Sequence, residues 1–270
     1  MTRSSDPRVA VLGCGPAGLL AAYAAECEGA VVEIFSKPMR SKIHGAQFLH
    51  EEIDGIKVPS TEVNFQFLGT PEMYAKKIYG PIADMVQTSW GKYEGSITAY
   101  SMNHLYAQLW GTYQKRINRV EYISKDFINA VEDQNYDLLV STIPAPALCL
   151  DPDEHFFDSQ KFWIFDVPED GMPRVGGNQI TYNGDWGTPW YRSSRLFGKS
   201  YIEFGDNSIH PDNCYPASKI IHTNCDCRKN WIKTGRFGAW KRGVLVHDAY
   251  WEVKNAMLKM FGSGTSRSSN

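Results

Sequence analysis

Charge of one sign, long apolar runs and hydrolytic motifs are all scarce in this chain. Its 270 residues carry 28 Lys and Arg against 30 Asp and Glu. The chain is no polycation, and any affinity for nucleic acid has to come from a local patch. The longest apolar stretch, Val9 to Ala25, is broken by Gly13, Gly15, Pro16 and Gly18, so it does not read as a membrane span. No secretory leader pattern opens the sequence, and a reduced, cytoplasmic setting without a membrane partner is expected. There is no internal repeat, no HExxH and no Ser-His-Asp order with a nucleophile elbow. The absence of CxxC argues against a dithiol reductase. Cys225 and Cys227, taken with Cys214 and His222, fit no usual zinc spacing, and no metal is expected. Aromatic residues, by contrast, reach 13%, with 8 Trp and 14 Tyr, which suits a lined cavity or a stacking surface.

The first 35 residues carry the sharpest pattern. Arg8 to Leu12 (RVAVL) predicts a strand, Gly13 to Gly18 (GCGPAG) a turn, Leu19 to Glu28 an Ala-rich helix and Ala30 to Phe35 a second strand. This is the βαβ opening of a dinucleotide-binding fold. Gly13 permits the tight turn, Gly15 lets the backbone approach a pyrophosphate, and Gly18 lets the helix pack on the strand. Pro16 and Ala17 open that helix, whose terminus supplies free N–H groups and a positive dipole end. Glu33, 20 residues after Gly13, is placed at the end of the second strand, where it would accept from a ribose hydroxyl and repel a 2′-phosphate. The pattern serves NAD and FAD alike; a glycine-rich turn without a ligand is the structural alternative.

Further along, Ser101 predicts the N-cap of a helix whose aromatic face (Tyr106, Trp110, Tyr113) belongs to the core. A strand is expected at Val120–Ile123 and a buried one at Tyr136–Ile143, closed by Pro144 and Pro146. Short strands from Lys161 to Phe204 suggest an antiparallel layer, and His247 to Met260 predicts a closing helix. The expected class is therefore α/β. A Rossmann-like domain would be assembled from 1–55, 118–150 and 234–262, and a small antiparallel β layer covering the substrate from 56–117 and 151–233. Residues 263–270 would be a frayed tail.

Three later segments resemble the flavin-binding family that includes UDP-galactopyranose mutase and the amine oxidases. YDLLVSTIPAPAL (Tyr136 to Leu148) is similar to the return strand whose loop approaches the FAD. ITYNGDWGTPWYRSSRLFG (Ile180 to Gly198) is similar to the substrate-facing stretch. TGRFGAWKRGVLVHDAYWEVKNAM (Thr234 to Met257) is similar to the C-terminal flavin box. The family's Gly-Gly pair after the second strand is replaced here by His44-Gly45-Ala46-Gln47. The resemblance implies FAD, with Gly45, Gln47, Pro144, Gly235, Arg236, His247 and Asp248 near its flavin half. It also implies Tyr191 and Arg192 at the substrate and His247 as a candidate proton mover, with Tyr182, Trp186 and Trp190 as further pocket walls. The expected chemistry is oxidation of a C–N bond of an amine or amino-acid-type substrate. A sugar-nucleotide mutase, an NAD-dependent dehydrogenase and a non-catalytic binding protein are the alternatives. Seven Lys and Arg between Lys219 and Arg242, against Asp226 alone, suit a DNA-linked substrate such as an amino-acid-modified base, or else a solvated basic face. The substrate and the oligomeric state are left open.

Overall fold

The computed structural model describes residues 6–37, 42–85, 95–168, 177–205 and 214–261. The strands are β1 (Arg8–Leu12), β2 (Val31–Ser36), β3 (Ser60–Leu68), β4 (Gly95–Tyr100), β5 (Ile117–Arg119), β6 (Leu138–Ser141), β7 (Phe157–Val167), β8 (Asn178–Asn183), β9 (Trp190–Leu196), β10 (Lys199–Gly205), β11 (Cys214–Thr223) and β12 (Trp231–Lys233). The helices are α1 (Pro16–Cys27), α2 (Pro71–Tyr79), α3 (Met102–Tyr113), α4 (Lys125–Glu132), α5 (Gly235–Ala239) and α6 (Asp248–Phe261). The chain forms two compact units. The first comprises Met1–Ser41, His104–Phe157 and His222–Asn270, the second Lys42–Asn103 and Asp158–Ile221.

These boundaries differ from those expected. Residues 42–55 belong to the second unit, where Leu49 bridges to Tyr100. Most of α3 belongs to the first, because the hydroxyls of Tyr106 and Tyr113 donate to Cys14 O and Glu26. β12 also joins the first unit, as a neighbour of β6. The strand expected at Val120–Ile123 lies slightly earlier, as β5, and the expected tail at 263–270 falls outside the described residues.

In the first unit a wholly parallel sheet runs in the order β12-β6-β1-β2-β5. Val9 to Leu12 are fully buried, and their unbroken apolar run is what a parallel strand covered on both faces requires. The Ala-rich face of α1 is buried from Gly18 to Ala25 except Tyr23. β2 and β5 lie on one side of β1, β6 and β12 on the other. The strand order therefore reverses between β1 and β6, and in open sheets of this kind the ligand crevice lies outside the carboxyl ends of such a pair.

The second unit carries a seven-stranded sheet, β11-β7-β10-β9-β8-β3-β4. It is larger than the layer expected and mixed rather than antiparallel. β3 and β8, from different segments of the chain, pair in parallel. Tyr74 of α2 packs with Val63, Ala99, Ile180, Tyr182 and Leu196 to form its core. Tyr182 stacks on Phe67 and meets Tyr74 edge-on, so it is a core residue rather than a pocket wall. Trp186 is 66% exposed.

Candidate functional site

In the first unit the chain leaves β1 through a turn that only glycine satisfies. Gly13 has φ +106°, and a Cβ there would stand 2.5 Å from Thr142 Oγ1. Thr142 is itself fixed, its N–H and hydroxyl both donating to Leu12 O at 2.9 and 3.1 Å. Three further bonds hold the loop. Gly13 N–H donates to Phe35 O at 2.9 Å, Cys14 N–H to Ser36 Oγ at 3.2 Å, and the Tyr106 hydroxyl to Cys14 O at 3.0 Å. A Cβ at Gly18 would lie 2.0 Å from the Gly13 carbonyl oxygen. The first turn of α1 and the loop thus touch backbone to backbone.

Gly15 is the N-cap of α1 and Pro16 its first residue, and no side chain caps the terminus. A helix start with uncapped N–H donors and the positive dipole end forms an anion site. α5 closes over the same place. A Cβ on Gly235 (φ +69°) would meet Ala17 Cβ at 2.7 Å, and one on Gly238 would meet Ser141 O at 2.5 Å. Arg236 follows Gly235 on that helix, and Pro144 begins the 3-10 turn that follows β6. Gly13, Gly15, Pro16, Ala17, Gly18 and Gly235 are therefore brought together at the β1–β6 switch point, and Pro144 stands three residues beyond the end of β6. Sequence reasoning missed Thr142, Ser36 and Tyr106, the groups that fix this loop.

Other expected site residues lie elsewhere. Glu33 is not at the end of β2. It pairs with Ala10 in mid-strand, three residues before Ser36, and binds Arg8 NH2 at 2.8 Å. The strand-end position belongs to Ser36, so the repulsion of a 2′-phosphate expected from Glu33 has no basis in this geometry. His247 and Asp248 stand at the N-terminus of α6, the helix expected to close the chain. His247 is buried and its carbonyl accepts from Tyr250 N–H at 3.0 Å, while Asp248 accepts from Leu245 N–H at 2.7 Å. Tyr250 stacks on Tyr23, two turns along α1 from the glycine loop. The helix packed against the loop is α5.

Gly45, Gln47, Tyr191 and Arg192 belong to the second unit. Gly45 packs against Ile164 and Glu203, and Gln47 donates to His44 O at 2.8 Å. Arg192 does not present its charge to a substrate: NH2 is bound to Glu203 Oε1, and Lys219 Nζ holds Oε2 at 2.8 Å. A buried carboxylate needs such cations, since removing a charge from water without partners is costly. Burial alone would raise the Glu203 carboxyl, but Arg192 and Lys219 hold it down at about 2. Tyr191 is half-buried, with Lys77 Nζ 5.9 Å from its ring centre.

The basic stretch is not a continuous stripe. Lys219 is engaged with Glu203. Arg228 is buried and bound to Glu132, Asn129 Oδ1 and Leu148 O, Lys229 pairs with Asp226, and Lys233 donates to Cys227 O. Cys225 and Cys227 do not join Cys214 and His222 either; they meet Cys149 and His155.

No protein-family model and no curated protein sequence matches this chain. Among solved structures it is similar to the flavin-dependent brominase Bmp2, with TM-score 0.52 and 10% identity over 94% of this chain and 78% of that one. It also matches p-nitrophenol 4-monooxygenase PnpA from Pseudomonas putida DLL-E4 (TM-score 0.46, 14% identity, 97% and 81% covered). A third match is the peptidyl tryptophan dihydroxylase QhpG (TM-score 0.44, 13% identity, 95% covered), of which the chain spans 66%. The likeness to Bmp2 is one of fold: the chain has the α/β fold of a flavoprotein.

Proposed function

We propose that this chain binds FAD and is a FAD-dependent oxidoreductase. The observation that carries the reading is the glycine cradle at the β1–β6 switch point. There Gly13 and Gly18 have no room for a side chain, and α1 starts without a cap. These residues fit a dinucleotide: the opening N–H groups of α1 would take the diphosphate, and Gly13 and Gly15 would let the backbone approach it. Gly235 and Arg236 of α5 would stand beside it, with Arg236 offsetting phosphate charge. The bound cofactor would supply the hydride acceptor, and the chain supplies binding and orientation. The flavoprotein fold favours FAD over NAD. For the substrate we propose an amine or amino-acid-type C–N bond, on the resemblance of Ile180–Gly198; Tyr182 and Arg192 serve the core and a buried ion pair, not its pocket.

The visible spectrum of the purified protein, with the cofactor released and chromatographed, tests the first claim. Flavin bands and free FAD support it. A colourless protein that takes up NAD and cannot be reconstituted with FAD overturns it. A panel of amines, amino-acid-modified nucleosides and sugar nucleotides then tests the substrate. Glu33→Gln is expected to leave FAD affinity within about twofold and the urea midpoint nearly unchanged, because it breaks only a solvent-screened surface pair. A tenfold weaker complex by titration would return Glu33 to the ribose.

A further inference from the structure

We propose that Cys149, His155, Cys225 and Cys227 hold one zinc ion in a closed structural site. Their four ligand atoms, three Sγ and the Nδ1 of His155, lie within 4.8 Å of one another. Cys149 Sγ is 3.2 Å from Nδ1 and Cys227 Sγ is 3.8 Å from it. A tetrahedral ion with Zn–S near 2.3 Å and Zn–N near 2.0 Å sets its ligands about 3.5 to 3.8 Å apart. The cluster therefore has the size of a single-ion shell, and three soft sulfurs with one imidazole are the donor set that zinc prefers. Four protein ligands leave no open position for a water, which makes the role structural rather than hydrolytic.

Hydrogen bonds around the four ligands hold the two loops that carry them. Leu150 N–H donates to Cys227 Sγ at 3.5 Å. Arg228, next to Cys227, donates through Nε to the carbonyl of Leu148, next to Cys149, at 3.2 Å. Lys233 Nζ binds Cys227 O at 2.9 Å. The two loops are laced again beyond the sulfurs. Phe156 N–H donates to Asn224 Oδ1 at 2.9 Å, the Thr223 hydroxyl to Phe156 O at 2.6 Å, and Cys225 N–H to Thr223 Oγ1 at 3.0 Å. Such outer contacts fix ligand direction before the metal arrives. The ion would pin the segment by which the chain leaves the first unit to the segment by which it returns. The site shares no residue with the glycine cradle, so its test is independent of the flavin reading.

The full chain, purified with a phosphine reductant and without added metal, is expected to contain about one zinc per chain by mass spectrometry of its metals. Replacement by cobalt(II) should give thiolate charge-transfer and tetrahedral d–d bands. Cys225→Ser and Cys149→Ser should lower zinc at least tenfold, while Cys27→Ser and Cys214→Ser keep it. Should the serine variants fail to fold, His155→Cys is the second test: it should retain one zinc and intensify the charge-transfer band. Protein that stays metal-free after incubation with zinc, with no cobalt spectrum, overturns the proposal. So does a disulfide among Cys149, Cys225 and Cys227 under the same reductant.

Discussion

Gly18→Ala is expected to abolish retention of the dinucleotide and to lower the stability of the first unit by about 3 kcal/mol, near the upper end of overpacking costs. The reason is local and steric. The new methyl would sit 2.0 Å from the Gly13 carbonyl oxygen and 2.9 Å from Thr142 Oγ1. Backbone cannot yield there as a flexible side chain would, because Gly13 is tied to β2 and Thr142 to Leu12. Either α1 lifts off β1 or the loop opens, and both movements remove the cradle. Gly29→Ala is the matched control. Gly29 has φ +83° with nothing within 4 Å of its Cβ position, so alanine there costs only the strain of a left-handed residue, about 1 kcal/mol. Cofactor titration and urea denaturation on both variants separate the two cases. A Gly18→Ala protein that binds and melts like the parent would remove the cradle from the functional reading.

Glu203→Gln is expected to cost about 3–5 kcal/mol, the usual effect of breaking a buried ion pair from one side. Glu203 is 2% exposed between Arg192 and Lys219, and a neutral amide leaves both cations facing it uncompensated. Lys219→Met should cost less, because Arg192 remains. The effect has a pH signature. Glu203 is depressed to about 2 in the folded chain, below the ordinary glutamate value of about 4.3. Its contribution is full above the ordinary value, declines as pH falls below it, and is gone once the folded value is passed. The stability difference between parent and variant, from denaturation at pH 7 and pH 3, should therefore shrink by about 2 kcal/mol. A difference that stays constant across that interval would contradict the assignment.

What the sequence makes legible is what lies close along it. Strand, glycine turn, helix and second strand follow within 35 residues, and each is fixed by its own composition. Glu33 shows where counting fails: the chain needs Glu28–Ala30 to turn, so a fixed offset from Gly13 lands in mid-strand while Ser36 takes the end. Arg192 was readable in principle. Phe197 and Gly198 both have positive φ, as in the two-residue hairpin turn that matches strand twist. Counting outward from them pairs Leu196 with Lys199 and Arg192 with Glu203. Lys219 was not readable, since it arrives from β11. The cysteine cluster is harder still. Cys149 and Cys225 stand far apart in the chain, and they meet because β12 pairs with β6, a short strand of three residues with no strong signal of its own.

That short strand also sets the order in which the protein can be completed during synthesis. β1 and β2 are made first, yet the partner on the other side of β1 is β6, and the partner of β6 is β12, ending at Lys233. Until that residue emerges, roughly 5–20 s after Ser141 at ordinary elongation rates, Leu138 to Ser141 form an apolar edge with unpaired N–H and C=O groups. Such an edge is a template for association with other chains, and the nascent first unit is most exposed to it while the second unit is being made.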